Sequence, residues 1–153
     1  MDAMKLQDYT TDNGFLPRVK CASVRDAVEN LVAALAADGG LADADGVVDE
    51  VMRREAEGST AIGGGLVIPH ARHAAVPEVR MAVATLEEPL DIPSEDGRPV
   101  DVVILLVGPD GDPRQMLRVL ARLARVVKSE AFVDSLRTAA DAASLRASFA
   151  LAV

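Results

Sequence analysis

Apolar positions along this chain fall into two rhythms, and the alternation of the two outlines the fold. Ala27, Val28, Leu31, Val32 and Leu35 recur at helical spacing. Ser23-Val-Arg-Asp26 ahead of them is a capping-box-like start, and Gly39-Gly40 stops the helix. A second helix opens at Asp43 or Asp45, turns Val47, Val48, Val51 and Met52 inward, and closes at Gly58 as a C′ residue. The rhythm then changes. Leu66-Val67-Ile68 is a short apolar run that ends as a strand at Pro69, which lacks a backbone donor and holds Ile68 extended. Arg80–Glu87 alternates in part, and Val100–Val107 is continuously apolar and β-branched, the pattern of a strand covered on both faces. FLPRVKC (15–21) reads as a strand that Pro17 confines to an edge.

Helical spacing returns after the polar turn at Pro93–Pro99. Asp112 caps, Pro113 takes the first helical position, and Gln115 completes the box. Leu117, Leu120, Leu123, Ala124 and Val127 are expected to form the buried face. Short helices follow from Ser129 to about Arg137 and from Asp141 to about Ala150. The order predicts an α/β domain, a mixed sheet flanked by helices on both faces, spanning residues 1–153, with 1–14 as a loosely held polar entry.

Composition narrows the function classes. The chain has 153 residues, enough for one core, and only 3% are aromatic, so that core is aliphatic. A formal net charge of −8 argues against nucleic-acid binding, which needs a basic footprint. The start of the chain has no signal-peptide pattern, and no apolar run approaches the ~18–20 residues of a membrane span, so neither export nor membrane insertion is expected. With one cysteine, Cys21, there is no internal disulfide. A cytoplasmic setting is the expectation, with Cys21 as a packed small residue.

The chemistry concentrates in GSTAIGGGLVIPHARH (58–73), which holds three consecutive glycines and both histidines, His70 and His73. A Walker loop is excluded because no lysine follows the glycines. A dinucleotide fingerprint is excluded because position 68 is Ile and no helix follows. A metal site is not expected either: the two histidines sit on an extended run, and no third ligand clusters with them. A neutral imidazole is nonetheless a nucleophile for phosphorus. Phosphoryl transfer asks the protein mainly for positioning and for donors to the equatorial oxygens. Backbone N–H groups of Gly63, Gly64 and Gly65, the hydroxyls of Ser59 and Thr60, and the Arg54 guanidinium are the candidate donors. On composition alone, a lone histidine after a strand is more often a surface or packing residue.

The order of these residues adds to the argument. Glu55, then Ile62-Gly63, then Leu66-Val67-Ile68-Pro69-His70-Ala71 resembles the active-site signature of the fructose/mannitol-type EIIA domains of the phosphoenolpyruvate-dependent sugar phosphotransferase system. The nitrogen-regulatory EIIA proteins share that signature. Asp96-Gly97-Arg-Pro99-Val100, the Leu-Leu-Val-Gly-Pro strand end and the leucine-patterned helix extend the resemblance over nearly the whole chain.

The resemblance implies that His70 accepts a phosphoryl group on Nε2 from an HPr-type phosphocarrier, with its other ring nitrogen held by a backbone carbonyl. It implies that Arg54 steadies the phosphate and that no bound cofactor is needed. The group then passes to an EIIB domain or serves as a signal read by a regulated target protein. A chain without an attached EIIB or HPr segment favours the regulatory role. Two substitutions are small: Gly64 stands where the family has Asn, and Val67 where it has Ala. A third is larger: Met116 stands where members commonly carry a second active-site histidine. Methionine donates no hydrogen bond to a phosphoryl oxygen. The second functional reading is therefore a non-transferring regulatory binding module of the same fold. His73 reads as an uninvolved surface residue or as a partial substitute for the missing histidine. Arg114, Arg118, Arg122 and Arg125 read as a solvated helix face or as a contact face for an acidic partner.

Overall fold

The computed structural model describes residues 5–39 and 41–150. Helix α1 (Val24–Ala37) starts where Ser23 Oγ accepts from Asp26 N–H, while the Asp26 carboxylate accepts from Ala22 N–H. Helix α2 (Ala44–Glu57) is capped by Asp43, whose carboxylate accepts from Gly46 N–H. Gly58 does end it, but with φ 176°, in extended backbone and not in the left-handed form expected of a C′ glycine. Strands β1 (Thr10–Val19), β2 (Ala61–Gly63), β3 (Leu66–Val67), β4 (His70–Arg72), β5 (Arg80–Leu90) and β6 (Val100–Gly108) form one sheet. Helices α3 (Arg114–Val126), α4 (Glu130–Thr138) and α5 (Ala142–Ala150) complete the chain.

The sheet is mixed. Its order is β1-β5-β6-β3-β2, with β4 also on β6. β1 runs parallel to β5, β5 antiparallel to β6, and both β3 and β4 parallel to β6. β6 is apolar throughout because both of its faces are covered. Val103, Leu105 and Val107 pack with α1 and α2; Val102, Ile104 and Leu106 pack with α3, α4 and α5. The α/β architecture with helices on both faces is the expected one.

Four further local expectations change. Of the loose entry expected over 1–14, residues 1–4 lie outside the described residues, and residues 6–14 are built into the fold. Leu6–Tyr9 makes a 3-10 turn with Leu6 buried, and β1 begins at Thr10. Polar residues there suit an edge strand, and Phe15 anchors it against Phe149, 6.1 Å between ring centroids. Second, β5 runs three residues past the expected end.

Third, the buried face of α3 is Met116, Val119, Leu123 and Val126, not the line through Leu117, Leu120, Ala124 and Val127. Leu117 is 58% exposed and Ala124 is exposed. Both lines have helical spacing, and one residue of phase turns the helix by about 100°. Fourth, the short strand ends before Pro69 as expected, but the chain does not leave the sheet there and resumes as β4 at His70. Leu66 faces Val102, and on the far side of the proline His70 faces Leu106, so the register on β6 never slips. Pro69 lacks an N–H, but its carbonyl still accepts from Leu106 N–H at 3.1 Å.

Several carboxylates at the surface are shifted below their ordinary pKa. The Gly64 N–H, then the Arg98 N–H, lower Asp96; the Arg114 guanidinium lowers Asp112; the Ser144 N–H lowers Asp141; Arg53 lowers Glu50. A carboxylate depressed in the folded state stabilises it at neutral pH, and the contribution vanishes as pH falls through the folded value. Thermal melts should therefore be flat near pH 7 and drop progressively below about pH 4, the ordinary carboxylate range. Equal melting temperatures at pH 7 and pH 3 would contradict this.

Candidate functional site

Continuous pairing of β3 and β4 along β6 delivers the His70 ring to the C-terminal end of the sheet. Across Pro69, the Ile68 carbonyl lies 2.8 Å from His70 Nδ1. A carbonyl can only accept, so Nδ1 carries the proton and donates it. Nε2 is left with a lone pair in the neutral imidazole. The ring is half-buried.

A cavity of about 300 Å³ opens over this ring. α2 contributes Glu50, Arg53 and Arg54; β4 contributes His70, Ala71 and Arg72; the start of α3 contributes Pro113, Met116, Leu117 and Leu120. One wall is thus cationic and the other apolar. Arg53 is saturated by its own helix: Nε and Nη2 donate to Glu50, and Nη1 to Glu57 at 2.7 Å. Arg54, in the last turn of α2, donates from Nη1 to Gly58 O at 3.1 Å. Arg72 donates from Nη1 to Asp110 O at 3.3 Å. The exposed Leu117 and half-buried Leu120 that leave the core therefore form the lip of this cavity.

Of the sequence-derived candidates, His70, Arg54 and Met116 come together. Met116 is buried, and its Sδ packs on Gly108, where a Cβ would lie 3.0 Å away. The others do not line the cavity. Thr60 is buried, and its N–H and Oγ1 both donate to the Glu55 carboxylate, at 2.8 and 2.7 Å. Ser59 Oγ accepts from Ala61 N–H at 3.1 Å. His73 Nδ1 accepts from Ala75 N–H at 3.0 Å, and the residue is not among those that line the cavity.

Nor do the glycines cradle anything on His70. Gly64 and Gly65 are the two central residues of the β2–β3 hairpin, with φ of 67° and 81°. That is the primed-turn geometry that glycine permits. Gly64 N–H donates to Asp96, and the Gly65 carbonyl accepts from Asp101 and Val102. Gly63–Gly64 line a different, larger cavity of about 720 Å³, at the other end of the β3–β4 line, with Arg98, Lys128 and Arg137. The expectation of a glycine phosphate cradle beside His70 is corrected accordingly.

Sequence reading missed Glu50, Arg72 and the lip leucines. Arg72 was accessible as the residue two beyond His70 on a strand, hence on the same face. Among the described residues, no three His, Cys, Asp or Glu side chains gather as a metal site. No described helix is long and apolar enough to cross a membrane.

A mixed sheet between helical layers, with one imidazole presented on a short strand opposite an arginine, defines an EIIA-type domain. The chain belongs to the family described as phosphoenolpyruvate-dependent sugar phosphotransferase system, EIIA 2, which matches residues 9–150. It is 34% identical over 148 residues to a nitrogen regulatory protein of Bradyrhizobium diazoefficiens, covering 97% of this chain and 96% of that one. The crystal structure of nitrogen regulatory protein IIA-Ntr from Neisseria meningitidis superposes with a TM-score of 0.83 at 28% identity, over 94% of this chain and 98% of that one. Enzyme IIA of the Escherichia coli mannitol system, solved in complex with phosphorylated enzyme IIB, shares the fold. Its TM-score is 0.74 at 15% identity, over 90% of this chain and 94% of that one.

Proposed function

We propose that this protein is a phosphocarrier of nitrogen-regulatory type, and that His70 Nε2 carries the phosphoryl group. The observation that supports this most directly is the Nδ1–H to Ile68 O bond, which leaves Nε2 as the free nucleophile in a cavity walled by arginine. The Nε2 lone pair attacks phosphorus on the phosphohistidine of an HPr-type donor. A new P–N bond forms on His70, and the donor's P–N bond breaks with its electron pair returning to the donor imidazole. Arg54 offsets charge on the phosphoryl oxygens. The rigid Nδ1 contact keeps the ring aimed without reorganisation. The group then passes to an EIIB domain, the partner held by the mannitol relative, or stays as a signal for a regulated protein. Similarity over nearly full length to nitrogen regulatory proteins supports the regulatory use.

The test is incubation with phosphoenolpyruvate, enzyme I and an HPr-type carrier from the same organism, followed by intact-mass and peptide analysis. The expected result is an acid-labile gain of one phosphoryl group, mapped to His70. No gain with a donor shown to be charged would refute the proposal.

Met116 supports a second reading, a regulatory binding module in which transfer is lost. It fills the cavity wall and has no hydrogen to donate. Met116→His separates the two. Where the wild type carries phosphate slowly for want of a donor, this substitution should speed transfer by up to about 10²-fold, the effect of one well-placed transition-state donor. An unchanged, measurable wild-type rate would show that the methionine costs nothing.

A further inference from the structure

We propose that Arg72 is a second phosphoryl-binding residue, gripping the group on His70 together with Arg54. The inference rests on the phosphocarrier reading and assigns a role that the sequence motif does not. It follows from counting the side-chain donors that remain in the cavity. A phosphoryl group on Nε2 presents three oxygens and needs cations or N–H groups around them. Pro113 has no N–H, and Ala71, Met116, Leu117 and Leu120 have apolar side chains. The Leu117 N–H is bonded to Pro113 O. Arg53 is fully engaged by Glu50 and Glu57, so its charge is offset within α2. Two guanidinium groups remain, and neither meets a carboxylate among the described residues: those of Arg54 and Arg72.

Position favours Arg72. His70 and Arg72 alternate on β4 and so project from the same face of the sheet, about 6.6 Å apart along the strand. That is within the reach of an arginine stem. Its one side-chain hydrogen bond among the described residues is from Nη1 to Asp110 O, at 3.3 Å, in the loop that leads to α3. This tether fixes the head beside the cavity and engages one of five donor hydrogens. The remaining fork can take two phosphoryl oxygens in a bidentate contact, which a lysine cannot reproduce. In a chain of net charge −8, these two unpaired guanidiniums give an incoming dianion its local attraction. Because Arg72 is exposed and outside both apolar clusters, replacing it should not disturb the fold.

Phosphoramidate is a suitable probe, because it donates phosphorus without a docking protein: its P–N bond breaks and ammonia leaves. Wild type should be labelled at His70 by phosphoramidate and by the charged HPr-type carrier. Arg72→Gln should slow both by about 10–100-fold, the effect of one lost hydrogen bond to a charged group, and should move the ³¹P resonance of the phosphohistidine. Arg72→Lys should fall between. Three results would overturn the inference. Equal phosphoramidate labelling of wild type and Arg72→Gln removes the phosphoryl contact. Slowing with the carrier alone makes Arg72 a docking residue. A wild type that neither donor labels removes the phosphocarrier reading itself, and this inference with it.

Discussion

Glutamine at position 70 is expected to give a folded protein that takes up no phosphoryl group. The side chain keeps a donor for the Ile68 carbonyl but has no ring nitrogen with a free lone pair. The cavity offers no replacement: its other lining residues are arginines, Glu50 and apolar side chains. The chain's second imidazole, His73, has Nδ1 occupied by Ala75 N–H and lies outside the lining. The loss should exceed about 10³-fold, as it does when a group that bonds covalently to substrate is removed. Intact-mass spectrometry after incubation with a charged donor reads it directly, and a thermal melt checks the fold. His73→Gln should carry phosphate like the wild type. Equal uptake by the His70 variant would move the nucleophile elsewhere.

Valine at position 65 should have the largest effect on stability. Gly65 has φ 81°, and a Cβ there would lie 2.7 Å from both Arg137 Nη2 and Asp101 Oδ1. Left-handed backbone costs an ordinary residue about 1–2 kcal/mol, and β-branching adds to it. The added atoms would also displace Arg137, which bonds Asp101 at 2.7 Å and the Gly64 carbonyl at 2.6 Å. Separating a fully buried ion pair costs about 3–5 kcal/mol. This pair is nearly a fifth exposed, so the whole effect should be about 3 kcal/mol. A melting temperature lower by roughly 10 °C follows for a chain of this size. Gly64→Ala is the control: φ is 67° but nothing lies within 4 Å of its Cβ, so only backbone strain of about 1–2 kcal/mol remains. Equal melting of the Gly65 variant and wild type would contradict the steric argument.

Local chemistry made most of the fold legible. Ser23, Asp43, Ser129 and Asp141 were readable as helix starts because short polar side chains satisfy free N–H groups, and each does so. The doubly covered β6 was readable from its apolar run. What local chemistry could not decide was phase and destination. α3 carries two apolar lines, and only the packing of β6 selects Met116 and Val119 over Leu117. The three glycines state a need for left-handed backbone, but a hairpin and an anion cradle share that need. Thr60 looked free until the fold brought Glu55 to its hydroxyl. Arg72 could be placed on the His70 face from its spacing, but a surface arginine gains a role only once the walls around it are known to lack other free side-chain donors.

The unbroken register of Leu66–Arg72 on β6 separates the site from the hairpin that precedes it. The height of the imidazole is fixed by its pairing opposite Leu106, not by the length of the loop at Gly64–Gly65. Residues added at the hairpin tip would lengthen it and leave His70 in place. One residue removed between Val67 and His70 would turn the ring through the sheet to the opposite helical layer. A change in the length of the hairpin therefore costs stability at the tip without moving the nucleophile, whereas a change beyond Leu66 moves the nucleophile itself.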